Sequence, residues 1–177
     1  DCMKKLELSL SAKGRFLVSC EDANGNHKWD MVSPNIVVDV GLKYMNEVFF
    51  KGDSYSAKWF IGIYGSQADN KPNARDTSKD HPGWVEVTTY LSPRRPEAVF
   101  GTASNASPSV ISNEDSPARI TMSKRTTVGG AFLIDNDVKG GMNGSLFCAT
   151  NFPSPGDRVL EEGDVLNIIY EFYLGSG

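Results

Sequence analysis

The chain has few of the residues on which most metal and catalytic sites depend. Among its 177 residues there are three cysteines and two histidines. Cys2, Cys20 and Cys148 lie far apart and form no CxxC pair, so neither a disulfide framework nor a zinc site is expected. This cysteine content indicates a protein made in a reducing compartment.

Common catalytic and phosphate-binding motifs are also absent. The sequence contains no GxSxG, HExxH, GxGxxG or GxxxxGK[ST] pattern. With only His27 and His81 as imidazole bases, a Ser-His-Asp or Cys-His site has few candidates. A carboxylate pair, such as Glu86 and Glu171 on neighbouring strands, would suit glycoside hydrolysis, but solvent-facing carboxylates are routine on strands. We therefore expect a non-enzymatic protein without a cofactor or a metal.

Clustered positive charge and long apolar runs are missing too. The chain has 18 basic and 22 acidic residues, a net charge of −4, and no basic cluster longer than pairs such as Lys4-Lys5 and Arg94-Arg95. Because binding to nucleic acid depends on clustered cations, no nucleic-acid partner is expected. No apolar run is long enough to span a membrane, and the first ten residues, DCMKKLELSL, lack the apolar core of a signal peptide. The expectation is synthesis in the cytoplasm and no membrane partner.

What the sequence does contain is a succession of short segments in which apolar and polar residues alternate. Examples are LELSL, GRFLVSCE, WVEVTTY and VLNIIYEFYL. AKWFIGIYG is apolar at successive positions, which predicts a central strand buried on both faces. Asn24-Gly25 predicts a hairpin turn. One stretch, residues 40–51, has the period of a helix, with Asp39 and Gly52 as candidate caps. The sequence predicts an all-β fold: a single antiparallel β-sandwich domain, 1–177, jelly-roll-like, with roughly nine to eleven strands and one short helix near residues 40–51.

Three loops could carry a site. Residues 65–83 form a polar stretch that is unusually long for a compact domain, and Asp76, Asp80 and His81 in it are either ligands or exposed turn residues. In DANGNHKWD, Asp22, Asn24 and Asn26 have the 1, 3, 5 spacing of the ligands in a calcium loop. His27 and Ser33 stand where that loop needs a glycine and a glutamate, which argues against calcium. KGGMNG is followed by a strand pattern and not by a helix, so it predicts a turn and not a phosphate site.

Several short segments of the chain follow one another in a distinctive order. They are CEDANGNHKW, NIVVDVGLKYMNEVFF, WFIGIYG, HPGWVEVTTY, RRPEAVFG, VGGAFL, KGG, G-x-LF-x-AT-x-F and GDVLN. In this order, over most of residues 14–173, the chain resembles a family of small structural proteins of tailed bacteriophages and prophages. The resemblance rests on the order of the segments, since no single segment is specific. The chain departs from that family in the length of residues 65–83 and at Met142.

The resemblance implies a virion protein, made in the host cytoplasm, with a jelly-roll-like sandwich. The leading hypothesis is a capsid decoration or cement protein that stabilises the head by binding the major capsid protein. The alternative is a tail or baseplate module that binds a carbohydrate or receptor through aromatic residues. Those available are Tyr55, Trp59, Trp84 and Tyr90. The sequence leaves open whether the chain forms a homo-oligomer.

Five residues are the candidate partner contacts. Trp84, Arg94 and Arg95 are chosen because exposed tryptophan and arginine often anchor interfaces. Gly140 and Gly141 are chosen because a close protein contact there would exclude a bulky side chain. The competing interpretation places Trp84 in the core and leaves the arginines solvated.

Overall fold

The structure is a computed structural model that describes residues 10–54, 58–66 and 71–176. These residues form twelve strands and one helix. In chain order they are β1 (Leu10–Glu21), β2 (His27–Pro34), β3 (Ile36–Val37), α1 (Asp39–Lys51), β4 (Trp59–Tyr64), β5 (Glu97–Ala98), β6 (Ser109–Ser112), β7 (Ala118–Thr121), β8 (Thr126–Val128), β9 (Gly130–Ile134), β10 (Leu146–Asn151), β11 (Arg158–Leu160) and β12 (Val165–Ser176). The predicted strand LELSL lies outside the described residues except for Leu10, where β1 begins.

Most strands belong to two antiparallel sheets that share one core. Sheet A has the order β2-β1-β12, and the far edge of β12 pairs with β7 and β6 at successive positions. Sheet B has the order β3-β10-β9-β4-β5. β8 and β11 form a separate two-stranded ribbon. The predicted all-β antiparallel sandwich with one short helix is therefore confirmed.

The main apolar core lies between the two sheets. Alternate side chains of β1 and β12 face alternate side chains of β4 and β9 across it. They are Phe16, Val18, Cys20, Leu166, Ile168 and Tyr170 from sheet A, and Ile61, Ile63, Ala131 and Leu133 from sheet B. This period of two is the reason that these segments alternate in the sequence. Burial of each of the larger side chains stabilises the fold by about 1.5–3 kcal/mol.

Sheet B is buried on its outer face as well. Tyr64 and Phe132 project there and form a second apolar cluster with Val38 and Trp84, which come from outside the sheet. β4 therefore has buried residues on both faces, as AKWFIGIYG predicts. Gly62 makes this packing feasible, because a Cβ at that position would lie 2.1 Å from the ring of Phe132.

The helix α1 occupies the range predicted for it. It ends at Gly52, which has the left-handed φ of 67° expected of a C-terminal glycine. Val38 and not Asp39 stands at the N-cap position, and Asp39 lies in the first turn, where its charge favours the positive end of the helix dipole. Gly41 permits close packing on β10, because an added Cβ would lie 2.6 Å from the carbonyl oxygen of Phe147. No helix formed by the described residues combines the length and the apolar character needed to cross a membrane.

Residues 84–90 differ from the prediction. The buried residues, Trp84, Val87 and Tyr90, recur at every third position and do not alternate as the sequence predicts. The segment forms only isolated bridges among the described residues, Tyr64 with Glu86 and Tyr90 with Met122. The segment starts beside sheet B, where the Val87 N–H donates to a carbonyl of β4, and ends beside the residues that follow β7. Because it passes from one partner to another, it is extended without forming a ladder.

Between the end of β6 and the start of β7, a side chain instead of a strand bonds to the far edge of β12. Asn113 lies between these strands and is completely buried. Its amide nitrogen donates to the Ile168 carbonyl at 3.2 Å, and its amide oxygen accepts the Tyr170 N–H at 2.7 Å. The side-chain amide thus takes the place of a missing peptide group in the ladder.

Candidate functional site

The five candidate contacts come together at one place in the structure. Trp84, Arg95, Gly140 and Gly141 line a single pocket, and Arg94 bonds to Asp137 in the loop that carries the two glycines. Their surroundings differ from one another. Trp84 and Arg95 are buried, with exposed fractions of 5% and 3%, whereas Arg94 is exposed. Trp84 therefore lies in the outer cluster of sheet B, and Arg95 is not a solvated arginine.

Arg95 and Glu86 form a buried ion pair with two parallel bonds. Arg95 Nε donates to Glu86 Oε1 at 2.9 Å, and Nη2 donates to Oε2 at 2.8 Å. The guanidinium also lies over the ring of Phe132 at 5.3 Å. A buried pair of this kind stabilises a fold only when its remaining polar atoms are satisfied.

The remaining polar atoms of the pair bond to the backbone of the loop between β9 and β10, which contains KGGMNG. Arg95 donates to the carbonyls of Asn136 at 2.7 Å and Gly141 at 3.0 Å. Glu86 Oε2 accepts the Gly140 N–H at 2.8 Å. The ion pair therefore holds the loop between β9 and β10 in one conformation.

Lys139 binds in the opposite direction, from the loop to the segment that carries Glu86 and Arg95. Its Nζ donates to the carbonyls of Tyr90 at 2.9 Å and Ser92 at 2.7 Å, and it lies 4.2 Å from the centre of the Tyr90 ring. We call Glu86, Arg95 and Lys139, together with the backbone of residues 136–141, the clasp. KGGMNG therefore connects two strands, as predicted. It is also bonded to the segment that carries Glu86 and Arg95, through its own backbone and through the Lys139 side chain.

The long polar loop forms the opposite wall of the pocket. Asp76 is buried and accepts the indole N–H of Trp84 at 3.0 Å and the backbone N–H of Asn73 at 2.9 Å. The His81 ring stacks on Trp84 with the ring centres 3.7 Å apart, and its Nδ1 lies 2.9 Å from the Trp84 carbonyl oxygen. Asp76 is therefore a buried acceptor and not an exposed turn residue. Residues 67–70 of the loop lie outside the described residues.

A pocket of about 420 Å³ opens between residues 78–86 and the clasp. Its floor consists of buried apolar side chains from sheet B: Phe132, Ile134 and Leu146. Val85 and Met142 stand at its rim with exposed fractions of 79% and 57%. Glu86 and Arg95 lie in its wall but are bonded to each other and to the loop. The pocket therefore suits an apolar side chain better than an anion.

A second exposed surface lies along the outside of the clasp. Arg94 pairs with Asp137, and Lys139 bonds to the carbonyls on either side of Leu91, so residues 90–94 run beside residues 137–139. Leu91 and Val138 are exposed there to 67% and 51%. We call Leu91, Arg94 and Val138 the ridge.

The two glycines of the clasp have different conformations. Gly140 has a φ of 74°, which an alanine adopts only with strain, whereas Gly141 does not have a positive φ. A Cβ at Gly141 would lie 3.0 Å from Val138. Alanine at either position therefore disturbs the loop itself, and a binding assay on such variants needs a parallel measurement of stability.

The proposed carboxylate pair is not formed. Glu86 bridges to Tyr64 beside sheet B and is bonded to Arg95, whereas Glu171 lies on β12 in sheet A and is bonded to Arg15 and Tyr173. The two glutamates are not on neighbouring strands. Each glutamate is bonded to an arginine of its own: Arg95 binds Glu86, and Arg15 binds Glu171.

The polar hairpin residues Asp22, Asn24 and Asn26 are bonded to one another. Asp22 accepts the side-chain amide of Asn26 and the backbone N–H groups of Asn24 and Asn26, and these bonds lower the pKa of Asp22. The turn is completed by Gly25, with a φ of 82°. In the part of the chain that the structure describes, no group of three His, Cys, Asp or Glu side chains is placed to hold a metal.

Two of the cysteines are unpaired and lie in the inner core. Burial raises the pKa of Cys20 to about 11 and that of Cys148 to about 12. A thiol with such a pKa is almost entirely protonated at neutral pH and is a poor nucleophile. Cys2 lies outside the described residues.

The aromatic residues of the carbohydrate-binding alternative do not line a common surface. Trp59 is half-buried between Tyr44 and Phe147. Trp84 and Tyr90 are buried, with exposed fractions of 5% and 3%. Tyr55 lies outside the described residues. The three described aromatics therefore pack within the protein instead of forming an open stacking platform.

The Glu86–Arg95 pair is the part of the site that sequence reasoning missed. The sequence indicates Glu86 only as one member, with Glu171, of a carboxylate pair. Because it lies two residues after Trp84 in an extended segment, both side chains face the same way. If Trp84 is buried, Glu86 needs a buried cation, and Arg95 is the next basic residue but one along the chain.

The fold and site together define an antiparallel β-sandwich with a pocket and a bound loop on the outer face of one sheet. No protein-family model, curated protein or solved structure matches the chain. Its function is therefore inferred from its own geometry and from the order of its sequence segments.

Proposed function

We propose that the chain is a non-enzymatic virion protein of a tailed bacteriophage, a decoration or cement protein that binds the major capsid protein and stabilises the head. The observation that supports this most directly is the ridge, which displays Leu91, Val138 and Arg94 on two segments that the clasp holds together. Exposed apolar side chains beside an arginine are characteristic of protein contacts.

The positions of the family-like segments support the same proposal. HPGW supplies His81 and Trp84, RRP supplies Arg95, VGGAFL supplies Phe132, and KGG supplies the loop glycines. Segments whose order in the sequence carries the resemblance thus meet at one site. A contact is the purpose that suits this site best, because its charged groups are used in holding the loop.

Decoration works through the number of contacts and not through the strength of any one. A rigid sandwich that touches neighbouring capsid subunits gains avidity because each added contact forms at a high effective concentration. The rigidity of the clasp limits the entropy lost on binding. In this proposal the protein is made in the host cytoplasm and is incorporated in the virion.

The test is binding to capsids that lack the protein. We expect saturable co-sedimentation of the wild-type chain, and a loss of at least about tenfold in affinity for the double variant Leu91→Asp, Val138→Asp, since the new charges oppose apolar burial. Val32→Asp, at an exposed site on the edge of sheet A, is the control and should bind normally. Failure of the wild-type chain to bind, together with its absence from gradient-purified particles, would overturn the proposal.

A further inference from the structure

The most exposed aromatic residues of the described chain form a pair at the end of α1. Phe49 and Phe50 are exposed to 81% and 78%. Their rings contact each other edge to face, with centres 4.9 Å apart and planes at 78°. Adjacent exposed phenylalanines are costly in water and commonly mark an interaction surface.

This pair does not contribute to the fold of its own chain. Neither side chain belongs to the apolar clusters formed by the described residues. The helix is attached to the sandwich by other residues: Gly41 packs on the backbone of β10, and Met45 packs on the inner core. The phenylalanines therefore project from a well-anchored helix end.

The pocket beside the clasp has the size and chemistry to receive both rings. A cavity of about 150 Å³ holds one benzene ring. Two rings therefore need roughly 300 Å³ by the same principle, and the pocket has about 420 Å³. Its floor is apolar, and its rim carries the exposed Val85 and Met142. A pair of phenyl rings matches this lining.

The charges beside the two surfaces are also complementary. Lys79 and Asp80 line the pocket and have no ion-pair partner among the described residues. Lys51 and Asp53 follow the phenylalanines, and Lys51 lies 3.8 Å from both Glu47 and Asp53 in exposed pairs. Each surface therefore offers a cation and an anion to an opposing copy, and the orientation that brings opposite charges together places Lys51 near Asp80 and Asp53 near Lys79.

We propose that Phe49 and Phe50 of one copy insert into the clasp pocket of a second copy of this chain. Because the two surfaces are different, the contact is head-to-tail, and it produces rings if the rotation closes and open chains if it does not. The proposal does not depend on capsid binding. Leu91, Arg94 and Val138 of the ridge do not line the pocket, so neighbouring copies on a lattice could hold one another as well as the capsid.

The expected contact is reversible. Two phenylalanine side chains supply about 300–500 Å² of buried surface, whereas a stable interface of standard size buries about 800 Å² on each partner. We therefore expect self-association that rises with protein concentration. Sedimentation velocity over a hundredfold range of concentration measures it.

Variants of each surface provide the first test. Phe49→Ser with Phe50→Ser removes the inserted rings, and Val85→Asp with Met142→Asp charges the rim of the pocket. Each double variant should remain monomeric at concentrations where the wild-type chain associates, a loss of at least about tenfold in the association constant. Val32→Ser is the matched control and should associate like the wild type. Circular dichroism and thermal unfolding establish that every variant is folded.

Mixing the two double variants gives the decisive result. The first retains an intact pocket and the second retains intact phenylalanines, so an equimolar mixture should form a heterodimer and nothing larger. A wild-type chain that stays monomeric throughout the concentration range overturns the proposal. Association that persists in either folded variant, or a mixture that stays monomeric while the wild type associates, also overturns it.

Discussion

The inner core and the outer cover of sheet B are stabilised by different interactions. Between the sheets, apolar side chains from several strands interdigitate, and none of the core residues that the structure describes forms an ion pair. On the outer face, one buried ion pair and a few aromatic rings hold two long segments in place. Packing of the first kind tolerates conservative exchanges. The second kind depends on a few directional bonds. The loss of one partner therefore frees both segments on the outer face of sheet B to rearrange.

The largest expected effect is the loss of Arg95. In Arg95→Met the apolar stem is kept, but Glu86 and two loop carbonyls lose their partner. Leaving one charge of a buried pair without its partner costs about 3–5 kcal/mol. Urea unfolding followed by circular dichroism measures the loss. Because the inner core is intact, hydrogen exchange should increase first in residues 136–141.

A double variant separates the ion pair from the packing. In Glu86→Leu with Arg95→Met both charges are absent, and most of the lost stability should return, because no buried charge is left unpaired. The loop carbonyls still lack their donors, so exchange in residues 136–141 should remain fast. Equal stability of the single and double variants would contradict the view that the cover depends on this pair.

The second prediction asks whether the inner sandwich also depends on a directional bond. Asn113→Ala leaves the Ile168 carbonyl and the Tyr170 N–H without a partner on a strand that spans sheet A. Each buried polar group left unsatisfied costs about 1–3 kcal/mol, so the two groups together give an expected loss of roughly 2–6 kcal/mol, comparable with that for Arg95. Urea unfolding measures it.

Hydrogen exchange at a single amide gives a more specific result. Exchange of the Tyr170 amide should accelerate in Asn113→Ala, because its acceptor is gone. Glu114→Ala changes the exposed neighbour and should leave that amide protected. Unchanged protection of Tyr170 in the Asn113 variant would show that the ladder does not need the side-chain amide.

The same contrast determines what could be predicted from the sequence. The inner core could be predicted, because burial of one strand face imposes a period of two that VLNIIYEFYL shows plainly. The helix at Asp39–Lys51 could be predicted as well, from its period and from Gly52. For residues 84–90 the sequence predicts a strand with alternate burial, but the buried residues recur at every third position. Whether an extended segment finds a continuous partner depends on the positions of other strands.

The clasp could not be predicted, because it joins residues that are far apart in the sequence by single bonds. Nothing periodic links Glu86 with Arg95, or Arg95 with the carbonyl of Gly141. The turn character of KGGMNG followed from its glycines, but its binding by the ion pair depends on the tertiary arrangement. Asn113 is similar: an asparagine in a polar stretch predicts a turn, and only the gap between β6 and β7 gives it a structural role.

The smallest expected effect concerns a polar contact on the solvent face of sheet A. Glu171 accepts bonds from Arg15 at 2.5 Å and from Tyr173 at 2.6 Å. Burial alone would raise the pKa of Glu171, but the bonds from Tyr173 and Arg15 outweigh it and hold that pKa below its ordinary value. A carboxyl group with a lowered pKa stabilises the fold above the unfolded pKa of about 4.3, and this contribution is lost as the pH falls through the folded value.

The Glu171→Gln variant should therefore be less stable than the wild type at neutral pH by under about 1 kcal/mol, since Arg15 is largely open to solvent. The difference should shrink once the pH falls below the unfolded pKa of about 4.3, and it should vanish when the wild-type carboxyl group is protonated in the folded state as well. Urea unfolding at each pH measures it, and Glu114→Gln serves as the exposed control. If the difference were as large as that for Arg95→Met, burial would not be what distinguishes the clasp from a surface pair.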